Sequence, residues 1–246
     1  MRFGSPRQQA VLCLSFIALF AVSVGVSVGL TRMSDGIATI WTANAFLAAS
    51  FLLLNRKWAA ATATACFAIN IVFNLLVNDG LALSVGLSAI NLGEAAGVAW
   101  LAKRFCPSIP LITYVGLARL LGLAVLPIVA VSSILASSLC AFVFDKDILL
   151  VFRHWLCGNF LGMTTFLPGI LLLTARSPKV QQLRDGWHET TIFLIFFALV
   201  AFAPHDGIRI AGVFLSLGVL FLRDRVALAL QLAAAAAVFV FVQAIF

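Results

Sequence analysis

Glu94 stands deep within an apolar run that extends from Leu81 to Ala102 and ends at Lys103-Arg104. If that run crosses a bilayer, the carboxyl is too far from the headgroups to snorkel out. It must then be protonated, paired or solvated in a cavity. The chemistry open to it is that of a proton- or ligand-linked sensor group. The plainer reading is a neutral carboxyl bonded to Asn91, to a backbone carbonyl or to another helix. Other polar residues repeat nearby at helical spacing. Ser84, Ser88, Asn91 and Glu94 fall along one stripe of the same run, and Asn70, Asn74 and Asn78 lie at i, i+4, i+8 of the run before it. Asn44 and Asn159, on two further runs, sit at comparable depth. Together these groups line a polar cavity open to the periplasmic side, or they bond across helices and hold a bundle together.

Other chemistries find little support. Arg153-His154-Trp155 at one end of a run offers ligand contacts, with Trp155 the candidate, although Trp and Arg also gather at interfaces as anchors. His154, His188 and His205 are far apart, and no HExxH, GxSxG or Walker pattern occurs. The five cysteines (Cys13, Cys66, Cys106, Cys140, Cys157) are widely spaced, with no CxxC pair, so neither a disulfide framework nor a zinc site is expected. No catalytic, cofactor or metal site is expected.

The elements that must position these groups follow from composition. The chain is 63% hydrophobic and only 10% charged, with a mean hydropathy of +1.13. A soluble domain is about a quarter charged, and a water-soluble fold of this length could not hide so much apolar side chain. Crossing about 30 Å of hydrocarbon takes roughly 20 helical residues. Apolar runs bounded by charges predict spans at 10–30, 37–54, 58–78, 81–102, 122–144, 152–174, 190–204, 207–222 and 226–246. The expected fold is therefore all-α: one polytopic transmembrane helical bundle of eight to nine spans over residues 1–246. The first run is longer than a secretory signal core and reads as an uncleaved helix. Pro110 to Leu121 reads as an interfacial lead-in to the fifth span. The last run stops at Phe246 without a flanking charge, an ending that points to truncation.

The charges sort by side. Basic residues fill every second connection: Arg2/Arg7, Arg56/Lys57, Lys103/Arg104, Arg176/Lys179/Arg184 and Arg223/Arg225. With Arg119 they put twelve of the sixteen basic residues on one side, which carries a net +9 against −1 opposite. This is the positive-inside bias, and it places the N-terminus in the cytoplasm of a bacterial inner membrane. It also accounts for the net charge of +7 without nucleic acid, since no continuous basic patch forms. Trp41, Trp58 and Trp100 fit an aromatic belt. Gly25/Gly29, Gly93/Gly97 and Gly158/Gly162 have GxxxG spacing, which serves helix packing and, less directly, a homodimer.

Several stretches resemble a membrane-associated sensor domain of bacteria (the MASE family, first type). Trp41-Thr42-Ala43-Asn44-Ala45-Phe46-Leu47-Ala48-Ala49 through Leu54-Asn55-Arg56-Lys57-Trp58 is similar to its Trp, Ala/Leu-rich helix, basic pair and Trp. Asn91-Leu92-Gly93-Glu94-Ala95 followed by Lys103-Arg104 is similar to the next helix. His154-Trp155-Leu156-Cys157-Gly158-Asn159-Phe160-Leu161-Gly162, ending at Pro168, looks like the family's Trp-x-Gly-Asp-x-x-Gly…Pro signature. Gly212–Leu230 is similar to its late helix pair. The resemblance covers roughly residues 10–240. Two departures stand out: Thr42-Ala43 replaces a Pro-Pro pair, and Asn159 replaces an Asp, which removes a titratable group. The resemblance implies an input domain N-terminal to a cytoplasmic diguanylate cyclase, phosphodiesterase or histidine kinase. No GGDEF, EAL or kinase segment is present in the sequence itself.

The expectation is thus a membrane-embedded sensory input domain whose partners are the lipid bilayer and a cytoplasmic signalling effector. Its sensing region would comprise Asn44, Asn70, Asn74, Asn91, Glu94, Trp155 and Asn159. The alternative is a small permease or substrate-binding component of a transporter, motivated by the same polar stripe and by Pro127 and Pro168 inside spans. A membrane-embedded enzyme is disfavoured, since no nucleophile, metal set or acid–base pair converges.

Overall fold

The structure is a computed structural model and describes residues 5–30, 41–106, 114–144 and 146–173. Among the described residues every regular element is a helix: α1 (Pro6–Leu30), α2 (Ala43–Leu53), α3 (Arg56–Leu76), α4 (Leu81–Phe105), α5 (Tyr114–Arg119), α6 (Leu126–Phe144) and α7 (Ile148–Leu173). Met1–Pro107 and Ala118–Leu167 form one compact unit; Ser108–Leu117 and Pro168–Phe246 form a second. The predicted spans 190–204, 207–222 and 226–246, with His188, His205 and Pro110, lie outside the described residues.

Among the described residues four segments, Pro6–Gly29, Arg56–Leu76, Leu81–Phe105 and Gly116–Val143, are long and apolar enough to cross a bilayer. Their packing inverts that of a soluble protein. Leu14, Val22, Val131, Ile134 and Phe142 are exposed, whereas Asn44, Asn91, Glu94, Ser132 and Asn159 are buried. In water that arrangement would leave a large apolar surface unpaid for; in acyl chains it is the stable one.

Within the first unit α4 is the hub, packed against α2, α3 and α6. Side-chain bonds give the helix directions. Gln9 reaches Asn55, and Thr62 donates to Cys13, so α1 and α3 run parallel. Asn44 reaches Asn91 while Lys103 donates to Phe51 O at 2.7 Å, so α2 and α4 also run parallel. The ends that carry Arg7, Arg56, Lys57, Lys103 and Arg104 therefore gather at one end of the unit, and the Asp79 turn lies at the other.

Three local features differ from the sequence-based expectation. Among the described residues of the second predicted span the helix runs over Ala43–Leu53, 11 residues or about 16 Å, half a hydrocarbon core, and Trp41 and Thr42 lie outside it. Its helix starts late because the residues before it are bonded elsewhere. The Trp41 N–H donates to Gly158 O on α7 at 3.1 Å, and the Thr42 hydroxyl bonds Ser23 on α1. The predicted lead-in to the fifth span is continuous with it: α5 passes through a π-helical turn, Leu120–Val125, directly into α6. Pro127 follows that turn and has no N–H to give a carbonyl four residues back, so the widened turn, with Leu126 N–H bonded to Leu121 O, absorbs the mismatch.

The third feature is Asn78. It does not extend the Asn70/Asn74 face, because α3 ends at Leu76 and Asn78 has a φ of 65°. Asn78 N–H bonds Leu75 O at 3.0 Å and Asp79 N–H bonds Asn74 O at 3.1 Å, the paired bonds of a Schellman stop with Asn in the left-handed position. At the other end of α3, the Asn55 side chain accepts from Trp58 N–H at 3.2 Å and caps the helix.

Candidate functional site

Four helices bring one polar side chain each, or more, to a common point. α2 supplies Asn44 from its first turn, α4 supplies Asn91 and Glu94 one turn apart, α6 supplies Ser132, and α7 supplies Trp155 and Asn159. All six are buried, Asn44 completely and Glu94 at 2% exposure.

The Asn44 amide nitrogen is the centre. It lies 2.9 Å from Asn91 Oδ1, 2.8 Å from Glu94 Oε1 and 3.0 Å from Asn159 Oδ1. Its own Oδ1 accepts from the Trp41 indole Nε1–H at 3.1 Å. The orientation of this amide is fixed chemically. Turned over, it would set N–H against the indole N–H and an oxygen against three oxygens. On the far side of the carboxyl, Glu94 Oε2 bonds the Ser132 hydroxyl. Ser132 also accepts from Trp155 Nε1–H at 3.2 Å and lies 2.9 Å from Val129 O. Asn159 is steadied by its Nδ2–H donating to Trp155 O at 3.1 Å. The result is a continuous hydrogen-bonded belt, Trp41–Asn44–Glu94–Ser132–Trp155, with Asn91 and Asn159 as side branches.

Backbone contact seals one edge of the belt. A methyl added at Gly162 would overlap the Trp41 carbonyl oxygen and crowd Thr42 Cα, 3.0 Å away. With the Trp41–Gly158 bond, this makes Gly158/Gly162 a seat for the non-helical Trp41–Thr42 segment rather than for another helix. The other two pairs differ. Gly25 meets Phe73 and Gly97 meets Ile128, whereas Gly29 and Gly93 meet nothing among the described residues.

Of the residues selected from sequence, Asn44, Asn91, Glu94, Trp155 and Asn159 meet in this belt. Asn70 and Asn74 do not join it. Asn70 is buried on α3 with neither amide atom bonded, and Ser88 on α4 likewise lacks a partner for its hydroxyl. Two members were missed. Trp41, read as part of an aromatic belt, is buried and bonded to Asn44; Trp100, which is exposed, fits that earlier reading. Ser132 carried a weak signal, being one of several serines in an otherwise apolar span. No group of His, Cys, Asp and Glu fit for a metal occurs among the described residues, and Cys13, Cys66, Cys106, Cys140 and Cys157 are free thiols.

A helical bundle with apolar flanks and a sealed polar belt at its centre defines an integral membrane protein. The chain belongs to the MASE1 family, whose model matches residues 10–205, a family of membrane-associated sensor domains. No curated protein and no solved structure matches it.

Proposed function

We propose that this chain is the integral membrane sensory input domain of a bacterial signal-transduction protein. It regulates a cytoplasmic effector, appended or partner, of the diguanylate cyclase, phosphodiesterase or histidine kinase type. It lies in the inner membrane with its N-terminus and the basic helix ends in the cytoplasm, a reading supported by the positive-inside bias. It does no catalysis itself. The observation that supports this reading best is the belt centred on Asn44. Buried amides and a carboxyl are costly in a bilayer, and here Asn44 ties α2 to α4 and α7 while Glu94 carries the link on to Ser132 of α6. A signal that competes for those bonds shifts the packing of all four at once. The test is a fusion of the full chain to a diguanylate cyclase reporter. Asn44→Ala is expected to change second-messenger output at unchanged membrane level. Output equal to wild type for Asn44, Asn91 and Asn159 variants, across a panel of stimuli, would refute the sensor role.

One observation favours a permease instead: α2 begins inside the bundle, as interrupted helices do at transporter sites. Solute counterflow by the purified chain in vesicles would decide for that reading.

A further inference from the structure

Hydrogen counting at the belt leaves too few hydrogens. The Ser132 hydroxyl has one hydrogen but faces two acceptors, Glu94 Oε2 and Val129 O, while it already accepts from Trp155 Nε1–H. The Asn44 amide has two hydrogens for three oxygens. One hydrogen added at Glu94 Oε2 meets the shortage at Ser132 and, by making Glu94 Oε1 a weaker acceptor, eases the sharing at Asn44.

We infer that Glu94 Oε2 is a proton-binding site, occupied in this packing, and that its proton is donated to Ser132. With the proton in place, Glu94 O–H donates to Ser132 Oγ, Ser132 O–H donates to Val129 O, and Trp155 N–H completes the serine. Glu94 Oε1 becomes a carbonyl, a weaker acceptor than a carboxylate oxygen, and asks less of the shared Asn44 amide. When the proton passes to a solvent base, the Ser132 hydroxyl swings from Val129 O to Glu94 Oε2. Val129 O keeps the hydroxyl of Ser133, which donates to it at 2.6 Å. The site thus has two bonded arrangements that differ by one proton and one hydroxyl rotation. Among the described residues the bonds to the Glu94 carboxyl come from Asn44 and Ser132, and neither carries a charge. The groups facing Glu94 are Asn44 from α2, Ser132 from α6, and Trp155 and Asn159 from α7 through those two. The adjacent titratable residue on α7 is His154, beside Trp155. The deprotonated arrangement therefore carries an uncompensated charge amid four helices, which favours entry of water or helix separation.

This assignment stands independently of the sensor reading, because it concerns the resting chain. The test is infrared spectroscopy of the full chain in phosphatidylcholine vesicles at neutral pH. A carboxylic-acid C=O band, shifted by deuterium exchange and absent in Glu94→Gln, is expected. A wild-type-minus-variant difference showing only carboxylate bands would overturn the assignment. Ser132→Ala gives a second reading that does not require Glu94→Gln to fold. Loss of the serine acceptor should move the acid band to higher frequency, and an unmoved or missing band overturns the proposal.

Discussion

The main chain of Trp41 rests on Gly162, with its carbonyl oxygen in the space a side-chain carbon would need. This contact holds the start of α2 against α7, and through the neighbouring indole it holds the Asn44 amide in its orientation. Gly162→Ala is expected to cost about 1–3 kcal/mol, the usual range for overpacking a rigid contact. Gly93→Ala, where the new carbon meets nothing among the described residues, should gain about 0.5–1 kcal/mol from the stiffer chain. Denaturant unfolding in micelles reads both, and equal shifts would contradict the described seat.

Two buried asparagines should respond with opposite signs to the same change. Asn44→Leu strands three side-chain oxygens and an indole N–H. An average hydrogen bond between membrane helices contributes about 0.6 kcal/mol, but each buried group left unmet costs about 1–3 kcal/mol, so a large loss is expected. Asn70→Leu removes an amide that has no partner on either atom. It should be neutral or stabilising, because nothing is stranded. Thermal unfolding of the pair in one detergent checks the contrast.

Asn78 offers a backbone test. A left-handed conformation costs a β-branched residue roughly 1–2 kcal/mol and glycine almost nothing. Asn78→Gly should leave stability close to wild type, and Asn78→Val should lower it by about that amount. Equal stabilities would mean that the turn at the end of α3 is not formed as described.

Topology is checked by accessibility. Single cysteines at Arg56 and Lys103, in an otherwise cysteine-free chain, should react with an impermeant thiol reagent only from the cytoplasmic side. Cysteines at Asp79 and Asp147 should react only from the periplasmic side. Labelling of positions 56 and 79 from one side would break the orientation drawn from the charge bias.

Much of the site was legible because buried polar residues in apolar runs are rare enough to point at one another. Asn44, Asn91, Glu94 and Asn159 were all selected on depth and spacing alone. The errors arose where spacing is silent about the chain's path. A period of four makes Asn78 look like a third member of a face, but the helix ends two residues earlier, and the side chain serves a turn. Trp41 matched an interfacial anchor by residue type, yet its N–H groups are taken by α7 and by Asn44. Hydropathy carries the predicted helix through Trp41 and Thr42, since it cannot register that a backbone N–H has been claimed by another helix. Ser132 was hidden for a simpler reason: residue type does not say which of several hydroxyls on one helix meets a carboxyl.

The brevity of α2 has a mechanical meaning. Asn44 lies in its first turn, and Leu54 and Asn55 follow its last. Those two residues are the whole connection to α3, and the Asn55 N–H is tethered to Gln9 of α1 at 3.0 Å. The rod is too short to bend appreciably and the joint has no slack. A displacement of a fraction of an ångström at the amide would therefore arrive nearly undiminished at Arg56 and Lys57, like a push rod rather than a spring.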